Sequence, residues 1–242
     1  MTMRQLGFLL VLLSGVACRQ PDPHAPVVLS DGLVAACAVP DVGAVLAMVD
    51  REYGDARGGP GRLADDLRQL FTVYGPLNLR VMDLEQGKDA LSGHLQVEGK
   101  GLFFEGPMVW RTVDQPTACF LAGDFLTDLR GVVWLLRDRR RALEEGSLER
   151  LGELISLEYR GEVGGWKELL ERTRLDLAAS KGVGMMVHDL RVVMQGDGAQ
   201  VTQAYLLIYR IGEEGKPVEQ RARERLQLRK EGTRWRIVGG LG

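Results

Sequence analysis

Residues 158–165 read EYRGEVGG, and residues 52–59 have already read EYGDARGG. An offset of 106 residues carries Glu52, Tyr53, Gly58 and Gly59 onto Glu158, Tyr159, Gly164 and Gly165. The same ungapped shift matches Leu63, Arg68, Val81, Asp83 and Leu84 with Leu169, Arg174, Val187, Asp189 and Leu190. The patterns agree where the letters do not. Asp41 and Ser147, both favoured helix N-caps, open apolar stripes at Val42, Val45, Met48 and Val49 and at Leu148, Leu151, Leu154 and Ile155. That spacing is helical, so one small fold is expected twice.

Each copy then turns to strands divided by turn residues. Residues 79–86, 90–97, 102–113 and 117–123 are separated by GKD, EGKG and DQP; residues 185–194, 199–211, 217–230 and 234–239 are separated by QGDG, GEEGK and EGT. Such Gly- and Asp-rich breaks read as hairpin turns. Between the copies, Thr127 is expected to cap a helix through Leu129, Val132, Val133, Leu136 and Leu143, with Gly146 stopping it. The plan is α+β, two tandem domains of helix, helix and antiparallel sheet, at residues 31–126 and 127–242. A helical connection and an apolar strand at 199–211 predict that the units pack as an intrachain pseudo-dimer with both faces of that strand covered.

The run ALEEGSLERLGELISLEYRGEVGGWKELLERTRLDL at 142–177, followed by a β-meander closing in RWRIVGG, resembles the nuclear-transport-factor-two-like, or cystatin-like cone, superfamily. The resemblance implies a cone-shaped α+β unit of a plan shared with bacterial envelope lipoproteins. It selects no activity, because the cone serves isomerases, dehydratases, epoxide hydrolases and pure binding or assembly modules.

The N-terminus gives an address. Arg4 precedes the apolar core 6–13, and the small residues Gly15 and Ala17 precede Cys18. Residues 1–17 read as a signal peptide, since the apolar run is shorter than the ~20 residues needed to span a bilayer. Small-x-small cleavage and a lipobox, GVAC, both cut before Cys18, and the second would make Cys18 a lipidation site. Residues 18–30, containing RQPDPHAP, read as a tether. The expected locale is the cell envelope, with the membrane contacted through the N-terminal lipid. The 242 residues less 17 leave 225, with 30 basic residues once Arg4 is removed from 31, against 33 acidic. That balance gives no reason to expect nucleic acid. Cys37 and Cys119 remain, to pair in an oxidising compartment or to serve as small core residues.

Chemistry is sparse. No Cys-x-x-Cys or His-x-x-x-His marks a metal, no phosphate-binding loop or nucleophile elbow occurs, and no cofactor is implied. His24 falls in the tether and His94 stands alone in a strand. Asp189, with Asp83 at the equivalent position, is the candidate general base on a sheet wall. His188 is its neighbour, but adjacent strand residues point to opposite faces. Arg221, Arg223, Arg225 and Arg229 alternate along one strand and share a face, a candidate binding surface for an anionic group or a solvated face balanced by nearby glutamates. Two function classes follow: an envelope-anchored, non-catalytic module binding an envelope protein or small apolar ligand, and a pocket enzyme of isomerase or dehydratase type using Asp189 or Asp83. Tyr53, Tyr159 and the glycine pairs of the two loops read as structural.

Overall fold

The structure is a computed structural model and describes residues 25–115, 118–212 and 215–241. The segment read as a signal peptide, Cys18 and His24 lie outside the described residues. Helices α1 (Ala25–Ala38), α2 (Val42–Ala47) and α3 (Pro60–Tyr74) lead into strands β1 (Asn78–Gln86), β2 (Ala90–Gly99), β3 (Leu102–Gln115) and β4 (Ala118–Gly123). Helices α4 (Thr127–Glu144) and α5 (Leu148–Leu154), the short strands β5 (Arg160–Gly161) and β6 (Gly164–Gly165), and α6 (Trp166–Ala179) follow. Strands β7 (Ser180–Gln195), β8 (Gly198–Ile211), β9 (Pro217–Glu231) and β10 (Arg234–Gly239) complete the second unit. Two tandem helix-and-sheet units of α+β type are thus present. Residues 25–30, at the end of the span read as a tether, are helical.

The correspondence read from the loops extends through the backbone. Asp41 and Ser147 cap α2 and α5 by accepting from the N–H of Ala44 and Arg150. The last stripe residues leave their helices: Val49 bridges Leu121 and Ile155 bridges Ile237, both in parallel. Tyr53 and Tyr159 are buried behind these bridges. Gly58 and Gly164 take φ of +133° and +117°, a region open to glycine, and turn the chain into α3 and α6 after Gly59 and Gly165. β1 and β7 carry register breaks at neighbouring places, after Met82 and, one position earlier by the offset, after Val187.

Apolar residues at helical spacing bury one face of α3 (Leu63, Leu67, Leu70) and of α4 (Leu129, Val132, Val133, Leu136). Thr127 is the first residue of α4, not its cap; Leu126, at φ +51°, precedes it, and the Thr127 hydroxyl donates to Asp55 over 3.2 Å.

The two sheets are one. The strand order is β1-β2-β3-β7-β8-β9-β10, with β4 on β3, and Leu102, Phe103, Phe104 and Glu105 pair in parallel with Leu190, Arg191, Val192 and Val193. The units therefore join edge to edge. Leu206 and Ile208 on one face of β8 and Tyr205 and Leu207 on the other are all half-buried. The stretch of β9 corresponding to the joining residues of β3 follows Pro217 and carries Glu219 and Arg221, features that discourage a further strand.

A buried ionic cluster ties α4 to the first unit. Arg130, fully buried, donates from Nη1 to Asp55 (2.6 Å) and from Nε to Asp66 (3.0 Å), while Arg57 Nε and Trp134 Nε1 donate to the Asp66 oxygens at 2.7 and 2.6 Å. Nη2 lies 2.9 Å from Asp66 Oδ2 without hydrogen-bond alignment. Burial would raise both carboxyls, but hydrogen bonds and the Arg130 charge overcome it and hold them below their ordinary value of 3.8. For carboxyls so depressed, the stabilisation is complete above pH about 4 and disappears as the pH falls through the folded-state values.

Cys37 and Cys119 are both buried and both free, so the bridge weighed for them is not formed. Each fills space as a small core residue, and burial pushes the thiols up to about 12 and about 11.

Asp66→Ala, which leaves Arg130 and Arg57 short of a counter-charge, is expected to cost roughly 3–5 kcal/mol. In urea denaturation at pH 7 and pH 3, the wild type should lose stability on acidification and the variant should lose less. Equal losses would remove the cluster from the stability of the fold.

Candidate functional site

Strand register identifies which side chains occupy equivalent places in the two cones. Leu95 pairs with Val81 as Tyr205 pairs with Val187, Leu91 faces Trp110 as Val201 faces Leu226, and Gly93 faces Met108 as Gln203 faces Glu224. In the helices, the amide N–H of Asp41 donates to Ala36 O as that of Ser147 donates to Ala142 O, which sets Leu33 against Arg139. The inner wall of the first cone thus carries Leu33, Met108, Gly93 and Leu95. The second carries Arg139, Glu224, Gln203 and Tyr205 at the same places.

The exchange alters the interior. Leu33, Met108 and Leu95 are buried in a continuous apolar core, where Trp110 packs edge-on against Phe125 at 5.2 Å. At Gly93 a side chain is excluded, because a Cβ would stand 2.7 Å from the Met82 carbonyl oxygen in the β1 bulge. In the second unit a cavity of about 570 Å³ opens between the sheet and α5 and α6. Met185, Leu207, Leu169, Leu177, Leu151 and Leu241 make its apolar walls, and Tyr205, Tyr209, Arg139 and Glu224 contribute polar groups.

Arg139 and Glu224 form a two-pronged pair, with Nη1 on Oε1 and Nη2 3.1 Å from Oε2, and the Gln203 amide also donates to Oε1. Arg139 and Gln203 are buried, and Gln203 Oε1 has no partner among the described residues. Burial raises the Tyr205 phenol, reinforced by the Glu224 charge, so this hydroxyl stays protonated. Tyr159 closes the cone beneath Leu241, donating to its carbonyl at 2.5 Å and accepting from its N–H at 3.0 Å.

The residues singled out in the sequence lie elsewhere. Asp189 and His188 are exposed: the register break after Val187 places Asp189 opposite Ala204, on the outer face with Arg191 and Thr202. Asp83, at φ +52° in the equivalent bulge, is also exposed. The structure therefore corrects the sheet-wall role expected for these carboxylates, since a bulge turns each away from the interior. Arg221, Arg223 and Arg225 are exposed on the outer face, facing Leu206, Ala204 and Thr202 across β8; Arg229 is engaged by Glu158 (2.7 Å) and Glu231 (3.1 Å). His94, on the outer face, lies 3.4 Å from Glu105. Sequence reasoning missed Arg139, Glu224 and Gln203. The available signal was Glu224 itself, a charge standing between Ala222 and Leu226 on the apolar side of its strand.

No protein-family model matches the chain, and no curated protein matches it. Solved structures that resemble it include a putative dehydratase from the NTF2-like family of Streptomyces avermitilis, at 20% identity and TM-score 0.43, covering 47% of this chain and 94% of that one. A putative scytalone dehydratase from Novosphingobium aromaticivorans matches at 14% identity and TM-score 0.45, over 48% and 82% of the two chains. A hexachlorocyclohexane dehydrochlorinase matches at 12% and 0.43, over 48% and 83%. Each spans just under half of this chain.

Glu224→Met alone leaves Arg139 buried without its counter-charge and is expected to lose roughly 3–5 kcal/mol. The double variant Arg139→Leu with Glu224→Met, which copies the first cone, should recover to within about 1 kcal/mol of wild type. Additive losses in a urea double-mutant cycle would contradict the coupling.

Proposed function

We propose that the chain is an envelope-anchored, non-catalytic binding module whose second cone holds one small, mainly apolar ligand. The observation that carries this reading is the contrast between the structurally corresponding interiors of the two units. One cone is filled by its own apolar side chains, and the other keeps a cavity of about 570 Å³ with a buried polar end. A cavity of that size with apolar walls and a few convergent polar groups is the ordinary form of a small-ligand site. The carboxylates at the cavity are Glu224 and Asp176. Glu224 is held in a two-pronged ion pair, a poor position for a general base that must release and regain a proton. The placement of Asp189 and Asp83 outside the cavity leaves the enzyme reading without the base it was built on. In the anchored form, acyl chains on Cys18 would attach the module to a membrane, as the signal core and GVAC sequence support.

Native mass spectrometry on protein extracted from its own envelope tests both parts. The expected polypeptide begins at Cys18, carries a diacylglyceryl or triacyl group, and retains one small-molecule equivalent. Leu207→Trp, which places an indole in the cavity, should remove that equivalent while the acyl mass stays. An unmodified Cys18 would end the anchoring proposal, and ligand retention by the Trp variant would end the cone-site proposal.

A further inference from the structure

Resting on that reading, we infer that the second cone selects an uncharged amphiphile: an apolar body ending in a hydroxyl or amide, in preference to a carboxylate or an ammonium. The polar end of the cavity holds one charge of each sign in contact, Arg139 against Glu224. With both prongs engaged, the guanidinium is already neutralised. A ligand carboxylate brought here loses its hydration and meets the Glu224 charge, with no uncompensated cation to receive it; an ammonium meets Arg139 in the same way. Arg172 and Asp176, the other charged residues of the lining, are both exposed, so their charges stay hydrated.

Neutral hydrogen-bonding capacity is present. The Tyr205 and Tyr209 hydroxyls line the cavity from β8, and neither makes a hydrogen bond among the described residues. A phenol donates and accepts, so it can serve a ligand hydroxyl or amide in either sense. Gln203, behind Glu224, lines a separate cavity with Tyr74 and Leu136 and adds nothing to the lining here. The two phenols therefore suit a head group that can both donate and accept. A carboxylate only accepts.

The test compares 1-decanol, decanoate and decylammonium, which share one body and differ in the head, by calorimetry on the full mature chain at pH 7. Decanol is expected to bind at least about ten-fold more tightly than either ion. Glu224→Gln keeps the shape but frees the Arg139 charge, and decanoate should then gain about ten-fold or more. Tyr205→Phe should weaken decanol and leave the rejection of decanoate in place. Decanoate binding the wild type as well as decanol does would overturn the inference while the cone remains a ligand site. Binding of none of the three would overturn the inference together with the reading beneath it. If the Gln variant fails to fold, the wild-type ranking alone decides.

Discussion

Four residues of β3 running parallel to four of β7 make two small units into one body. Because the joint is edge to edge, one long sheet carries helices on one face, and α4 lies where it can serve both units. Its two buried arginines divide that work. Arg130 binds Asp55 and Asp66 of the first unit, while Arg139, nine residues on and about 13 Å further along the helix at 1.5 Å per residue, binds Glu224 of the second. The connector between the units is therefore a shared wall and not a linker.

The two arginine clusters differ in what surrounds them. Arg130 is enclosed on all sides by Asp55, Asp66, Tyr53 and the Phe125 carbonyl. Every partner there is a structural one, and the cluster locks the 53–59 loop, α3 and α4 together. Arg139 and Glu224 instead edge a cavity. A buried ion pair is weak evidence for stability, since apolar residues of similar volume often do as well, and the first cone demonstrates that option with Leu33 and Met108. At this position the charged version stands beside empty space, and the proposed binding reading takes it as a recognition feature.

The frame was legible in the sequence because Tyr, Gly-Gly and the cap residues recur at a constant offset, and each reports a local constraint: a buried ring, a positive φ, a helix start. Strand order within each unit followed from the hairpin turns. The joint was not legible, since a four-residue parallel pairing has no composition of its own. Bulges also escaped notice: a single extra residue in β7 moved Asp189 to the outside, and the alternation of the letters does not reveal it. The site was half legible. Glu224 and Asp66 each interrupt an apolar stripe, at strand and helix spacing, but their partners Arg139 and Arg130 sit among the many arginines of α4, where the sequence does not distinguish a buried guanidinium from a solvated one.

Corresponding interiors of the two units differ, and in the proposed reading one is closed and one is open to a ligand. Met108 and Met185 are buried reporters, one on the inner wall of each cone. In methyl-¹³C methionine NMR spectra, titration with 1-decanol should shift the Met185 signal saturably and leave Met108 in place. A saturable shift at Met108, or none at Met185, would contradict the claim.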